Sequence, residues 1–166
     1  MLKNYFIIFL ISMVPLIELR GAIPVATAMG LMPADDISKI VLVYAICIIG
    51  NMIPVPFIFL FARKFLEWGQ DKKIIGGVCT FFLTKGKKGG AKLQEKAGRG
   101  LFFALFLFVG IPLPGTGAWT GTLAASLLDM KFKETVIAVI CGVLLAGTIM
   151  LLLSLGVFGA VTAVSA

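Results

Sequence analysis

The sequence predicts an all-α integral membrane protein of two inverted repeats. Each repeat is a re-entrant helical hairpin followed by one spanning helix, and an amphipathic basic segment joins them. Three observations predict this class. The 166 residues are 60% apolar, with a mean hydropathy of +1.07; soluble domains run nearer half apolar, so one soluble core cannot bury this surface. Ten of the fifteen Lys and Arg fall in one polar interval, Arg63 to Arg99. The apolar segments also come in one order twice: short, elbow, short, long.

A membrane helix needs about 20 apolar residues to cross about 30 Å of hydrocarbon. In the first repeat, residues 1–62, the segments 5–17 and 22–32 are too short to cross alone, whereas 37–62 is long enough. In the second repeat, residues 101–166, the segments 101–111 and 118–128 are again short and 135–160 is long. The short pairs predict re-entrant hairpins over 5–32 and 101–128. Their irregular backbone then has to be buried in protein or face a water-filled cavity, because lipid satisfies no free N–H or C=O group. The competing expectation is one kinked spanning helix per pair, set against Pro15, Gly21 and Pro24 in one elbow and Pro112, Pro114, Gly115 and Gly117 in the other. At an offset of 97 positions, nine identities fall between residues 5 and 57, among them Pro15/Pro112, Leu16/Leu113 and Gly50/Gly147.

Residues 63–100 predict a cytoplasmic linker, since excess Lys and Arg stay on the inner side and favour anionic headgroups. Within it Ile74, Ile75, Val78, Phe81 and Phe82 recur at helical spacing, with Lys72, Lys73, Thr80 and Lys85 elsewhere around the helix, as in an interfacial amphipathic helix. A third short insertion is the competing expectation, and a flexible basic loop follows at 85–90. With this interval inside, the turn 33–36 with its two aspartates faces out, and the turn 129–134 with its two lysines faces in. The halves are then inverted, in a multi-pass protein of the plasma membrane. Ala138, Gly142 and Ala146 form a small-xxx-small row for close helix packing.

Several function classes fall away. No nucleic-acid-reading motif accompanies the basic residues. The chain has no histidine, and Cys47, Cys79 and Cys141 stand alone in apolar surroundings, so no metal site, cofactor or catalytic residue is expected. No nucleophile and base can be paired, so no enzyme is expected. The first segment could pass for a signal peptide, but Glu18, Arg20 and Pro24 stand between it and any cleavage site.

Glu18 and Arg20 are the only charged residues in the short apolar segments and the elbows. A charge near the bilayer centre costs at least about 2.5–3.5 kcal/mol, so such residues pair, face a cavity or serve the function. One reading is a self-neutralising pair. The other is a site: Arg20 offers a permanently charged fork for phosphate or carboxylate, and Glu18 offers a carboxyl group that can exchange a proton. The second elbow carries no charge. It offers Thr116, Thr120, the Trp119 indole and backbone N–H groups around Gly115 and Gly117, with a helix start near Ala118, and such donors suit an anion. A structural turn, or Trp119 as an interface anchor, is the plainer reading. Asn51, followed by Pro54 and Pro56, adds a polar group and unsatisfied carbonyls to the same cavity, or else is a packed kink. The candidate site is therefore Glu18, Arg20, Gly21, Pro24, Asn51, Pro112, Pro114, Gly115, Thr116, Gly117, Trp119 and Thr120.

The stretches Pro15-x-x-Glu18-Leu19-Arg20-Gly21-Ala22-Ile23-Pro24 and Pro112-x-Pro114-Gly115-Thr116-Gly117-Ala118-Trp119 resemble the hallmark segments of the small multidrug export protein family, over nearly the whole chain. That resemblance implies a distant similarity to the DedA and VTT-type membrane proteins, which pair re-entrant hairpins and include lipid-phosphate translocators and scramblases. The second elbow lacks an acidic residue, against a drug-cation mechanism needing two membrane carboxylates. The expectation is a secondary transporter, coupled to protons or sodium, whose elbows close around an anionic, lipid-phosphate-like group, with Arg20 binding it and Glu18 carrying a proton. A proton-coupled exporter of lipophilic cations and a non-transporting scaffold are the alternatives. Membrane lipids and a second copy, forming a homodimer, are the expected partners.

Overall fold

The computed structural model describes residues 2–72, 76, 77, 80, 84, 100–113 and 115–165. Lys73, Ile74, Ile75, Val78, Phe81, Phe82 and Lys85, which carry most of the amphipathic reading, lie outside them, as do Cys79, the basic loop and Pro114.

Among the described residues every regular element is a helix: α1 (Leu2–Met13), α2 (Glu18–Ala28), α3 (Ile37–Met52), α4 (Pro54–Gly69), α5 (Gly100–Gly110), α6 (Ala118–Leu127) and α7 (Phe132–Ser165). The elbows shrink to 14–17 and 111–117. Glu18, Arg20, Gly21 and Pro24 thus lie within α2 rather than in irregular chain. Pro24 is tolerated there because only one bond is lost, the one an N–H at that position would give to the Arg20 carbonyl.

The first long segment is one apolar rod, Ile37–Gly69, with an interruption in its middle. Ile53 keeps helical dihedrals and its N–H bonds Ile49 O at 3.1 Å, so the direction of the chain carries through. Pro54 and Pro56 have no N–H to give to Gly50 O and Met52 O, and the regular ladder breaks there. The rod runs past residue 62 because Arg63 and Lys64 are good helix formers. The second long helix begins at Phe132 rather than 135, with Glu134 in its first turn, where a negative charge suits the helix dipole.

Helix α1 lies along α3. Tyr5, Phe6 and Phe9 face Ile46 across a shared cavity; further on, the Ser12 hydroxyl donates to Cys47 O, and Gly50 abuts Phe9 and Ser12. Helix α2 is joined to the start of α3 by residues 29–36. In the second half α5 lies along α7, with Val109 against Gly142 and Gly110 against Leu145. Ala138, Gly142 and Ala146 are all buried, and a Cβ at Gly142 would strike Val109 and the Phe106 carbonyl, so the small-residue row serves this close approach. The halves also exchange partners: α2 packs on α7, and α6 packs on α4.

Register follows from these contacts. The Ser126 hydroxyl donates to Phe59 O at 2.9 Å, and beyond it Asp129 and Met130 share a cavity with Lys64 and Glu67. Helices α6 and α4 therefore run in the same direction, and stepping back two turns from Ser126 and Phe59 brings the start of α6 level with the α3/α4 interruption. Gly50 is 13 residues into α3 and Leu145 is 13 residues into α7, about 20 Å from each helix start. Both elbows are thus held deep between the ends of the long helices.

Only 22% and 33% of the most apolar windows of the two long rods are buried. Phe57, Leu60, Phe61, Leu152 and Leu153 are more than half exposed. Surface of this kind needs lipid as its solvent.

Candidate functional site

The site is built where the two elbows meet. In the second, Gly115 at φ 80° and Gly117 at φ 148° take backbone conformations that side chains resist, and they turn the chain sharply into α6. The first bond of that helix is Gly121 N–H to Gly117 O, at 2.8 Å. A helix start leaves its leading N–H groups without partners inside the helix. Here the Glu18 carboxylate supplies them: Oε2 accepts from Ala118 N at 3.1 Å and Oε1 from Trp119 N at 3.0 Å. Glu18 is only 3% exposed. A Cβ at Gly117 would fall on this carboxylate, so glycine is what lets the acid approach.

The first elbow is shaped to deliver that acid. Leu16 at φ 69° and Glu18 at φ 52° both sit in the left-handed region, which costs a non-glycine residue about 1–2 kcal/mol. Strain of this kind persists where surrounding contacts over-determine it.

Two residues further on, Arg20 reaches the other side of the second elbow. Its Nη1 donates to Leu113 O at 2.6 Å, Thr116 O at 2.7 Å and Thr116 Oγ1 at 2.8 Å. Its Nη2 donates to Val109 O at 2.9 Å and Ile111 O at 3.2 Å. These are the closing carbonyls of α5 and the chain just past it, the negative end of that helix. The carboxylate therefore sits at the positive end of α6 and the guanidinium at the negative end of α5, each favourable by about 0.3–2 kcal/mol. The adjacent charges Glu18 and Arg20 are divided between two helix ends.

The remaining candidates divide. Thr116 belongs to the Arg20 cluster, and its hydroxyl lies 3.0 Å from Ile111 O and 2.9 Å from Leu113 O. Trp119 gives its backbone N–H to Glu18 while its indole Nε1 is buried without a partner. Thr120 Oγ1 is 3.5 Å from Gly117 O, a bond within its own turn. Gly115 is exposed and Pro112 half-buried. Gly21 packs on Ile17, and Pro24 lies nearly two turns into α2, away from the contact. Asn51 is fully buried, and neither its Oδ1 nor its Nδ2 has a partner.

Sequence reasoning missed three features. The acceptors for Arg20 are carbonyls, which carry no residue signature. Thr122 is fully buried with its hydroxyl unpartnered; its spacing of four from Ala118 and from Ser126 puts all three on one helix face, which was the available signal. Ser12 bonding Cys47 O was hidden in an apolar run.

No curated protein and no solved structure matches the chain. A family model does, from the start of α2 through the second elbow and into α7. The chain belongs to the family described as "Putative small multi-drug export protein", whose model matches residues 18–149.

Proposed function

We infer that this is a membrane protein that transports or exports, from family membership and the two long apolar rods. We propose a secondary transporter in which two re-entrant hairpins, related by inversion, meet near the bilayer midplane and take turns with an anionic substrate at the start of α6. The observation that carries this reading is the seat of Glu18: an anion already sits on the Ala118 and Trp119 N–H groups. A helix start that holds a carboxylate suits a phosphate equally well.

Support for inversion comes from direction. Helix α6 runs with α4, while the short link 128–131 turns α7 back against α6, so the long rods run oppositely. Alternating-access carriers use this symmetry. Support for re-entrance comes from depth, since each elbow is held about 20 Å along a long helix whose first residues lie near the hairpin's own ends.

In this mechanism the ionised Glu18 closes the site. Protonation removes the negative charge from the α6 seat, the carboxyl group withdraws, and the freed N–H groups donate to a phosphate-like anion. Arg20, committed to α5 and Thr116 while the elbows are docked, swings to the anion as they part. Substrate anion and proton then travel together, and a lipid phosphate is the favoured cargo. Residues 63–100 face the cytoplasm in this reading.

A second reading has its own observation. Glu18 is the one buried carboxylate among the described residues, and a lipophilic cation could bind it in exchange for a proton. Thermal stabilisation of the purified protein in detergent separates the two, because a ligand that binds only the folded state stabilises it by mass action. Polyprenyl phosphate should stabilise the wild type more at pH 5.5 than at pH 8, its uncharged alcohol should not, and Glu18→Gln should remove the pH dependence. Stabilisation by a lipophilic cation alone, lost in Glu18→Gln, would replace the anion reading with the exporter.

A further inference from the structure

An unsatisfied polar cluster lies apart from the anion seat, at the interruption between α3 and α4. Asn51 is fully buried and both polar atoms of its amide lack partners. Buried polar groups in folded proteins nearly always have partners, so a fully buried amide with neither end bonded marks a place where an ion or water belongs. One residue earlier is Gly50, whose carbonyl receives no helical donor because Pro54 has no N–H. Asn51 follows Cys47 by one turn on the face toward α1, and α1 stops at Met13, so Asn51 lies just past the end of α1.

The register of α6 on α4 brings a third group to this level. Thr122 lies one turn before Ser126 on the face that meets α4, level with Val55, and its hydroxyl is buried without a partner. Side-chain amide oxygen, main-chain carbonyl and hydroxyl are hard, uncharged oxygens. Three such groups at a broken helix, in a layer that also holds the Glu18 carboxylate, match the chemistry of a hard monovalent cation such as sodium rather than of a transition metal. Among the described residues no cluster of three or more His, Cys, Asp or Glu stands ready for a metal ion.

We propose that the α3/α4 interruption is a sodium site, with Asn51 Oδ1, the Gly50 carbonyl and Thr122 Oγ1 as ligands and waters completing the shell. The ion takes the amide oxygen, and a water of its shell accepts from Nδ2. Because the start of α6 carries Thr122 and is also the seat of Glu18, an ion here ties the first long helix to the helix that opens and closes the anion seat. The site does not depend on which substrate the elbows carry.

The test is the melting temperature of purified protein in detergent, with no added lipid phosphate. NaCl, KCl and choline chloride are compared at constant ionic strength, in wild type, Asn51→Leu and Thr122→Val. Sodium should raise the wild-type midpoint saturably by about 5 °C over choline. Thr122→Val should lose that rise while melting in choline no lower than wild type, because its hydroxyl has no partner to lose. Asn51→Leu should also lose it, and Thr122→Val alone decides if that variant does not fold. An equal midpoint in all three salts, or a sodium shift kept in Thr122→Val, would overturn the site. Neither result bears on the anion seat, which is read separately from the phosphate and pH arms.

Discussion

The two elbows solve one problem with opposite materials. The first is four residues long and hands over two charged side chains; the second is seven residues long and offers bare backbone. At the offset of 97, Glu18 corresponds to Gly115 and Arg20 to Gly117. One half places charge where the other has removed side chains, so that its main chain can be approached. The contact is therefore complementary rather than symmetric. Two copies of the first elbow would set two buried acids against each other, and two copies of the second would leave helix ends with no partner.

Removing the acid should have the largest effect. Glu18→Ala strands two N–H groups and the Arg20 charge in the docked elbows, and should lower stability by about 3 kcal/mol in detergent denaturation. Glu18→Gln, which keeps the shape, should cost less. Next is the glycine that admits the acid. Gly117→Ala sets a Cβ on the carboxylate and should cost about 2 kcal/mol. Gly115→Ala meets open space and should cost only the about 1 kcal/mol of its left-handed backbone. Equal losses at the two glycines would mean that the approach of Glu18 is not what Gly117 serves.

Arg20→Lys probes the cationic side of the contact. A lysine keeps the charge but cannot fork across Val109, Ile111, Leu113 and Thr116, so about 1.5 kcal/mol should go, recovered in neither high nor low salt. The smallest effect lies far from the elbows. The Asp36 side chain accepts from Lys39 N at 3.1 Å and sits 3.0 Å from its ammonium. Chiefly through the Lys39 side-chain bond, its carboxyl is held below the ordinary 3.8. A depressed carboxyl group contributes its stability above the unfolded value and loses it as pH falls through the folded one. Wild type and Asp36→Asn should therefore follow parallel profiles from pH 8 to 5, and only the wild type should show this loss below about pH 4, read as melting midpoint against pH.

Much of this arrangement is legible in the chain because a membrane restricts it so strongly. Segment lengths gave the order of short and long helices, and the Gly/Pro clusters located both elbows. Charge stood out as costly in apolar surroundings, so Glu18 and Arg20 were visible as a pair worth explaining. Their partners were not visible, since a carbonyl at Val109 or an N–H at Ala118 looks like any other backbone group. The extent of α2 was also hidden: Pro15, Gly21 and Pro24 read as one broken stretch, yet a single proline inside a helix costs one bond, and packing on α7 holds the rest. Asn51 was legible as a polar interruption beside two prolines. Its company with Thr122 needed the register of α6 on α4, which sequence spacing does not carry.

If Glu18 takes up a proton as the anion takes its seat, binding must draw that proton from solution. A short-chain prenyl phosphate is titrated into the purified protein by calorimetry at pH 7.5, in two buffers of different ionisation enthalpy. Close to one proton should be taken up per anion bound by the wild type and none by Glu18→Gln. Anion binding without proton uptake, or equal uptake by both proteins, would contradict this coupling.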